Sequence, residues 1–395
     1  MSGARTVRLG DCVDFLSGFA FKSGQFNTDG DGIPVIRIRD VKPGRSRTYY
    51  SGTYDPKYVI SDGDYVIGMD GEFALSRWRG GRAVLNQRVC SPRPLSEDID
   101  LAYLAHFLPP VLKRIEDATP FATVKHLSVK TLRDIELNVP PLPEQRRVVA
   151  VLEQVEELRE KRRQAMALLD DLAESLFLDM FGDPASPAPR FPRVPLEDAV
   201  SRRLQNGAYF PAEAYAEDGV AMVHMSDAFY GTVSAEGLKR VACQEKDTAK
   251  YALTGHDLLV ARRSLNYEGS AKPCRVTESA EPLIFESSLI RVTPAPDLLT
   301  TRYLYAYLSH QRVRAAYVFP RVTGATITGI SQENLAKVPV LLPPLTEQQA
   351  FERRLDEIDR AKAAHQAQLG SLDELFASIQ PRAFAGTLWK HEPAA

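Results

Sequence analysis

Two basic stretches in the first third of the chain carry the side chains best suited to chemistry. Arg37, Arg39, Lys42, Arg45 and Arg47 fall close together with only Asp40 opposing them, and Tyr49 and Tyr50 follow. Ser76–Arg93 holds Arg79, Arg82 and Arg88, with Arg77 and Arg93, around Trp78 and the pair Asn86–Gln87, without one acidic residue. Arginine takes guanine bidentately, Asn or Gln takes adenine, and any of the cations suits a backbone phosphate. A later stretch repeats the chemistry with other residues: Arg262, Arg263, Asn266, Tyr267 and Lys272, followed by Arg275. A solvated sheet face would also carry such charges. Two clusters in equivalent parts of a repeated unit favour nucleic acid, and their unlike residues suit two readers of unlike sequences.

Catalytic readings find little. There is no G-x-x-x-x-G-K-[ST] loop and no G-x-G-x-x-G opening a helix. Asn138-Val-Pro-Pro-Leu is a displaced, aromatic-free version of the amino-methyltransferase loop and is better read as a helix entry. Pro296–Asp297 lacks the second carboxylate and lysine that a nuclease would use to hold a metal. The cysteines Cys12, Cys90, Cys243 and Cys274 are far apart and no histidine stands near at ligand spacing, so reduced structural thiols in a cytoplasm are expected and a metal site is not. No apolar run reaches 18 residues and Met1–Arg8 has no signal-peptide pattern, which argues against a membrane location. The net charge of −2 conceals a split, since the lobes are slightly basic and the helical segments acidic.

The elements that must position these residues come in two copies. Pro140–Gly182 is a proline step followed by a long amphipathic helix, and it returns without a gap 203 residues later from Pro343. Leu142, Gln145, Leu152, Leu169 and Phe181 meet Leu345, Gln348, Leu355, Leu372 and Phe384. Proline suits a first helical turn, so each helix should begin there; the first should stop near Gly182 and the second near Gln380–Pro381. In sevens, one seam carries Val148, Leu152, Val155, Leu169 and Leu176, and the other Phe351, Leu355, Ile358, Leu372 and Ile379. Both are interrupted in the middle, by Arg159 and Arg162 in one and by Lys362 and His365 in the other. A narrow seam over about five heptads predicts an antiparallel coiled coil with the two polar middles opposite each other, spanning on the order of 55 Å.

The lobes repeat as well. Gly32–Val41 returns, diverged, as Gly219–Ala228. The expected organisation is lobe 1–139, helix 140–183, lobe 184–342, helix and tail 343–395. Alternation predicts strands at Ile33–Val41, Tyr65–Met69 and Ala83–Val89, then Ala221–Met225, Leu258–Ala261 and Ile284–Val292, with helices at Leu101–Ile115 and Thr301–Tyr317. The fold class is α+β: two duplicated globular lobes joined by two long helices.

This order of lobe, Pro-Pro-Leu-x-Glu-Gln helix, lobe, Pro-Pro-Leu-x-Glu-Gln helix resembles the specificity subunit of type I restriction–modification systems over nearly the whole chain. Gly32–Val41, Pro140–Arg147, Leu168–Gly182, Pro343–Gln348 and Arg382–Leu388 carry the likeness. It implies two target recognition domains, each reading half of a bipartite site on double-stranded DNA, with the helices setting the gap and docking partners. The chain itself would be non-catalytic and bind no cofactor. Two adenine-N6 methyltransferase subunits would use S-adenosylmethionine, and restriction subunits would use ATP and Mg. Half-sites one turn of DNA apart, roughly 34 Å, suit such a spacer. The competing expectation is a coiled-coil scaffold whose lobes bind a protein or another nucleic acid.

Overall fold

In the computed structural model, residues 5–119, 125–229, 231–324 and 327–389 are described. The chain forms two compact units, Met1–Gln164 with Gln366–Ala395, and Ala165–His365. The two long helices run over Leu142–Phe181 and Leu345–Phe384, 40 residues each. The first stops where glycine allows it: Gly182 sits at φ 75° and its amide donates to Leu178 O at 2.9 Å. The second passes through Pro381, contrary to the expectation that proline would end it. One lost backbone hydrogen bond is outweighed there by burial of the last turn, where Ala383 is 4% exposed and Phe384 packs on Tyr103 and Phe107.

Each unit contains an antiparallel stretch of the helix pair. In the first unit Val148, Leu152 and Val155 of the first helix are buried, and Phe376, Ile379 and Ala383 of the second share the core of Val148 and Leu152. In the second unit Phe351, Leu355 and Ile358 are buried, with Leu169 and Leu176 packed against them. Leu372 is half-buried. The polar middles are answered by ion pairs rather than left as gaps. Arg159 Nη2 meets Asp373 Oδ1 at 2.6 Å, and 203 residues on Lys362 Nζ meets Asp170 Oδ1 at 2.5 Å. Such part-exposed pairs contribute about 0.2–1 kcal/mol each, so their main effect is to fix register.

The helices are not coiled coil to their ends. Their outer turns belong to the lobe cores: Phe177, Phe181 and Phe351 pack around Tyr303 and Tyr307 in the second unit, while Val149 and Leu152 join Leu104, Leu108 and Leu112 in the first. The glutamine of the Pro-Pro-Leu-x-Glu-Gln motif locks this joint. Gln145 is fully buried; its Nε2 donates to Asp98 O (2.7 Å) and Pro140 O (2.8 Å), and its Oε1 accepts from Asp100 N (2.9 Å). Gln348 does the same with Leu298 O, Pro343 O and Thr300 N. Asp100 and Thr300 are the N-caps of the lobe helices Leu101–Ala118 and Thr301–Ser309, so one side chain satisfies the starts of two helices. Each lobe helix adds a tyrosine hydroxyl to the last strand of its lobe, Tyr103 donating to Asn138 O and Tyr303 to Leu341 O, both at 3.1 Å.

Each lobe is built mainly of short strands. In the first, a four-stranded sheet runs in the order Val13–Ser17, Val89–Pro94, Tyr65–Gly68, Leu75–Arg77. A five-stranded sheet has Ile33–Ile36 paired in parallel with Ala83–Leu85 near its centre. In the second lobe Leu289–Val292 and Leu258–Ala261 lie inside one sheet, and Tyr215–Val223 pairs in parallel with Leu283–Phe285 in another.

Several expected strands are shorter, and both lobes break them at matching places. Ala83–Val89 is two strands separated by Asn86–Arg88, and Ile284–Val292 is two separated by Glu286–Ser288. At these turns Asn86 N donates to Ile36 O and Gln87 N to Phe19 O, while Glu286 N donates to Val223 O and Ser287 N to Ala208 O. A Cβ on Gly18 would come within 2.1 Å of Asn86 O, and one on Gly207 within 2.2 Å of Phe285 O, so both turns need glycine opposite them. Ile33–Val41 ends as a strand at Ile36 and continues as a helical turn, Ile38–Val41, with Asp40 accepting from Arg37 N at 3.0 Å. Asp227 accepts likewise from His224 N at 2.8 Å, ending the other strand at Val223. The lobe helix expected over Thr301–Tyr317 stops at Ser309, where His310 caps a separate short turn. Among the described residues, no helix is long and apolar enough to cross a membrane. All four cysteines are free, and burial pushes the Cys90 and Cys274 thiols up to about 12.

Candidate nucleic-acid interface

Backbone pairing brings the two basic stretches of the first lobe together. Arg79 N donates to Gly44 O at 2.9 Å, placing the Lys42–Arg47 loop beside Arg79, and the Asn86–Arg88 turn hangs from the strand that leads into Arg37. Arg39, Arg45, Arg47, Arg79 and Arg82 are exposed and make no salt bridge to other described residues. Lys42 is exposed and pairs with Glu72 at 2.5 Å. Gln87 and Arg88 stand exposed on the turn. Free guanidiniums on short loops, ordered by strands behind them, form a surface suited to a polyanion.

Two of the expected contacts have other work, and a third is drawn in from the surface. Trp78 is fully buried with Ile36, Val41 and Ile60, and its Nε1 donates to Gly81 O at 2.7 Å. It is therefore a core residue and not a DNA contact; its arginine neighbours point outward while the strand-end turns the indole in. Arg37 is half-buried, with Nε on Asp40 at 3.2 Å and its guanidinium donating to Thr48 Oγ1, so it holds the helical turn. Asn86 is half-buried and its Oδ1 is buried without a partner among the described residues.

The second lobe presents its residues on a longer loop. Arg263 is exposed, and Arg262 is half-buried with Nη1 on Ser287 O at 3.3 Å. Asn266 shapes the loop, its Oδ1 accepting from Gly269 N at 2.7 Å, and Tyr267 donates its hydroxyl to Phe319 O at 2.8 Å. Lys272 is half-buried, its Nζ 4.1 Å from the Phe229 ring centre. The loop is tied from beneath by Arg314, 8% exposed, which donates to Glu268 O, Ser270 O and Ala271 O at 2.7–3.0 Å. Burial lowers the Arg314 guanidinium from its ordinary value, and the three carbonyls compensate the buried charge through hydrogen bonds.

Sequence reasoning missed Arg314, whose role depends on a loop more than forty positions earlier in the chain. It also missed Asp70 and His126, which lie against Arg88, and the exposed apolar Leu265 (88%) and Tyr209 (81%). An unsupported apolar residue between Arg263 and Asn266 was the only signal available for Leu265. Among the described residues no group of His, Cys, Asp and Glu could hold a metal ion.

A family model, type I restriction modification DNA specificity domain, matches the chain twice, over 1–166 and 202–372. The EcoBI type I restriction enzyme specificity subunit of Escherichia coli is 26% identical, over 98% of this chain and 87% of its own. The MjaVIII specificity subunit of Methanocaldococcus jannaschii is 20% identical, over 89% and 85%. Among solved structures, the type I restriction-modification S subunit from M. genitalium aligns over 97% of this chain and 96% of its own, with TM-score 0.57 and 12% identity. A chain from a structure of complex assembly and conformational transition in the type I R-M system aligns over 98% of both, with TM-score 0.59 and 18% identity. These structures share the fold.

Proposed function

Because the chain belongs to the family of type I restriction modification DNA specificity domains, and carries that domain twice, we propose that each lobe reads one half of an asymmetric bipartite site on double-stranded DNA. A repeated backbone frame carries unlike side chains in the two lobes, exposed in the first and half-buried in the second. The turns Asn86–Arg88 and Glu286–Ser288 make the same backbone hydrogen bonds, yet one offers Gln87 and Arg88 where the other offers two serines. A fixed frame with interchangeable side chains is what two readers of different sequences require.

The exposed arginines around Lys42–Arg47, Arg79 and Arg82 supply phosphate contacts that set orientation, while the turns and the Arg262–Lys272 loop face base edges. The two long helices set the gap between half-sites and dock two methyltransferase subunits, with restriction subunits joining that assembly. The chain is the non-catalytic member, and S-adenosylmethionine, ATP and Mg are used by its partners. The scaffold alternative is not favoured by the double family match. A genome-wide map of N6-methyladenine in the source strain, with and without this gene, tests the function. Loss of methylation at one asymmetric two-part motif is expected; loss at a short contiguous motif contradicts two separate readers.

A further inference from the structure

Arg88 lies at φ 71°, in the left-handed region that a side chain with a Cβ rarely occupies. A residue stays there when its surroundings over-determine it, and here backbone pairing does so. Arg88 O accepts from Met69 N at 2.9 Å, Met69 O accepts from Leu127 N at 2.7 Å, and Asp70 and His126 face each other as an antiparallel bridge. Three polar side chains from three separate stretches of chain therefore converge on one point.

Their hydrogen bonds can be assigned. His126 Nδ1 is 2.6 Å from Asp70 Oδ1, and the Arg88 Nε is 3.4 Å from Asp70 Oδ2. The ionised carboxylate has no hydrogen to give, so the hydrogen lies on Nδ1 and His126 donates to Asp70. That nitrogen then has no lone pair for Arg88 Nη1, 3.2 Å away, and both terminal nitrogens of Arg88 keep their hydrogens for another acceptor. The Asp70 side chain is 19% exposed and that of Arg88 50%. The carboxylate is a backing and the guanidinium is the face.

We infer that Asp70 and His126 are positioning residues that aim Arg88 at a guanine in the half-site read by the first lobe, an inference that rests on the function proposed above. An arginine anchored through Nε presents its two terminal nitrogens as a fixed fork, which matches O6 and N7 of guanine in the major groove. Ordering the long side chain beforehand removes part of the entropy cost of binding. A phosphate contact needs neither a left-handed backbone nor a backing carboxylate, and Arg39, Arg45 and Arg47 have neither. The second lobe pairs Arg262 N with Ser288 O, and Arg263 with Gly329, at the corresponding places. Asp70, Arg88 and His126 are thus replaced by Arg263, Ser288 and Gly329, and the second half-site is read without this device.

The test is selection from randomised duplex DNA by the full chain assembled with its methyltransferase partners, comparing wild type with Arg88→Lys and Asp70→Asn. Lysine keeps the charge on an exposed side chain and loses the fork. Arg88→Lys is expected to lose the preference for guanine at one base pair of one half-site by about tenfold or more. Asp70→Asn should relax the same base pair and leave the other half-site unchanged. Retained guanine preference in Arg88→Lys, or relaxation at a different base pair in Asp70→Asn, overturns the inference while the bipartite motif of the wild type stands. A wild type that selects no two-part motif overturns the proposed function, and this inference with it.

Discussion

Replacing Gln145 by Leu tests how the helix pair is joined to a lobe. The substitution keeps the volume and removes three hydrogen bonds, two donated to Asp98 O and Pro140 O and one accepted from Asp100 N. At a net value of about 1 kcal/mol each the loss is roughly 3 kcal/mol, raised where Pro140 O stays dry and lowered by the gain from a buried apolar side chain. We expect a destabilisation of about 2–4 kcal/mol on that basis. The assay is equilibrium urea unfolding followed by tryptophan fluorescence, because both tryptophans, Trp78 and Trp389, lie in the first unit. Gln145→Glu should be worse than Leu at neutral pH, since it turns a carboxylate toward two carbonyl oxygens. Its folded pKa would be raised, so its deficit grows as pH rises above about 4.3, where the unfolded chain ionises first. Gln348→Leu should cost the same in the second unit, read by far-UV ellipticity. A change below about 0.5 kcal/mol in Gln145→Leu, the ordinary range for a surface substitution, would mean that Gln145 does not hold the joint.

Further expectations follow from other buried groups and from the helices. Arg314→Ala leaves the carbonyls of Glu268, Ser270 and Ala271 without their donor, so it should cost about 3 kcal/mol and raise protease sensitivity within Arg263–Lys272; unchanged proteolysis would show that the loop holds itself. Burial lowers the His310 imidazole from its ordinary value, and its Nδ1 accepts from Arg312 N at 3.2 Å. The unfolded chain therefore takes up the proton first, and stability should fall as pH drops below about 6.5. His310→Asn, which keeps a cap acceptor, should lose that slope in urea titrations at pH 7 and pH 5. Inserting one helical turn after Glu160 and another after Ala363 adds about 6 Å to both helices and should lengthen the recognised gap by about two base pairs, read by DNA selection.

The helices were the most legible part of the sequence, because a seven-residue seam returning at a fixed offset is local information. The role of Gln145 was not legible, since its partners at Asp98 and Asp100 lie more than forty residues away and only the fold brings them together. The expected strands are too long where a polar triplet inside an apolar run marks a turn. Asn86–Arg88 interrupts Ala83–Leu85 and Val89 in this way, and the close approach of Gly18 shows that the chain bends there. Trp78 is not legible as a core residue because its neighbours are arginines, whereas its burial is decided by Ile36 and Ile60 from two strands and Val41 from a helical turn. Arg39, Arg45, Arg47, Arg79 and Arg82 are exposed, as charge alone requires of an unpaired guanidinium.

Under the proposed function, two lobes read two unlike sequences at a spacing fixed by the helix pair. Selection from fully randomised DNA by the assembled complex, followed by sequencing of what is retained, tests this. The expected result is two short, different blocks separated by a constant number of unspecified base pairs. A single contiguous block, or two blocks at variable spacing, would contradict it.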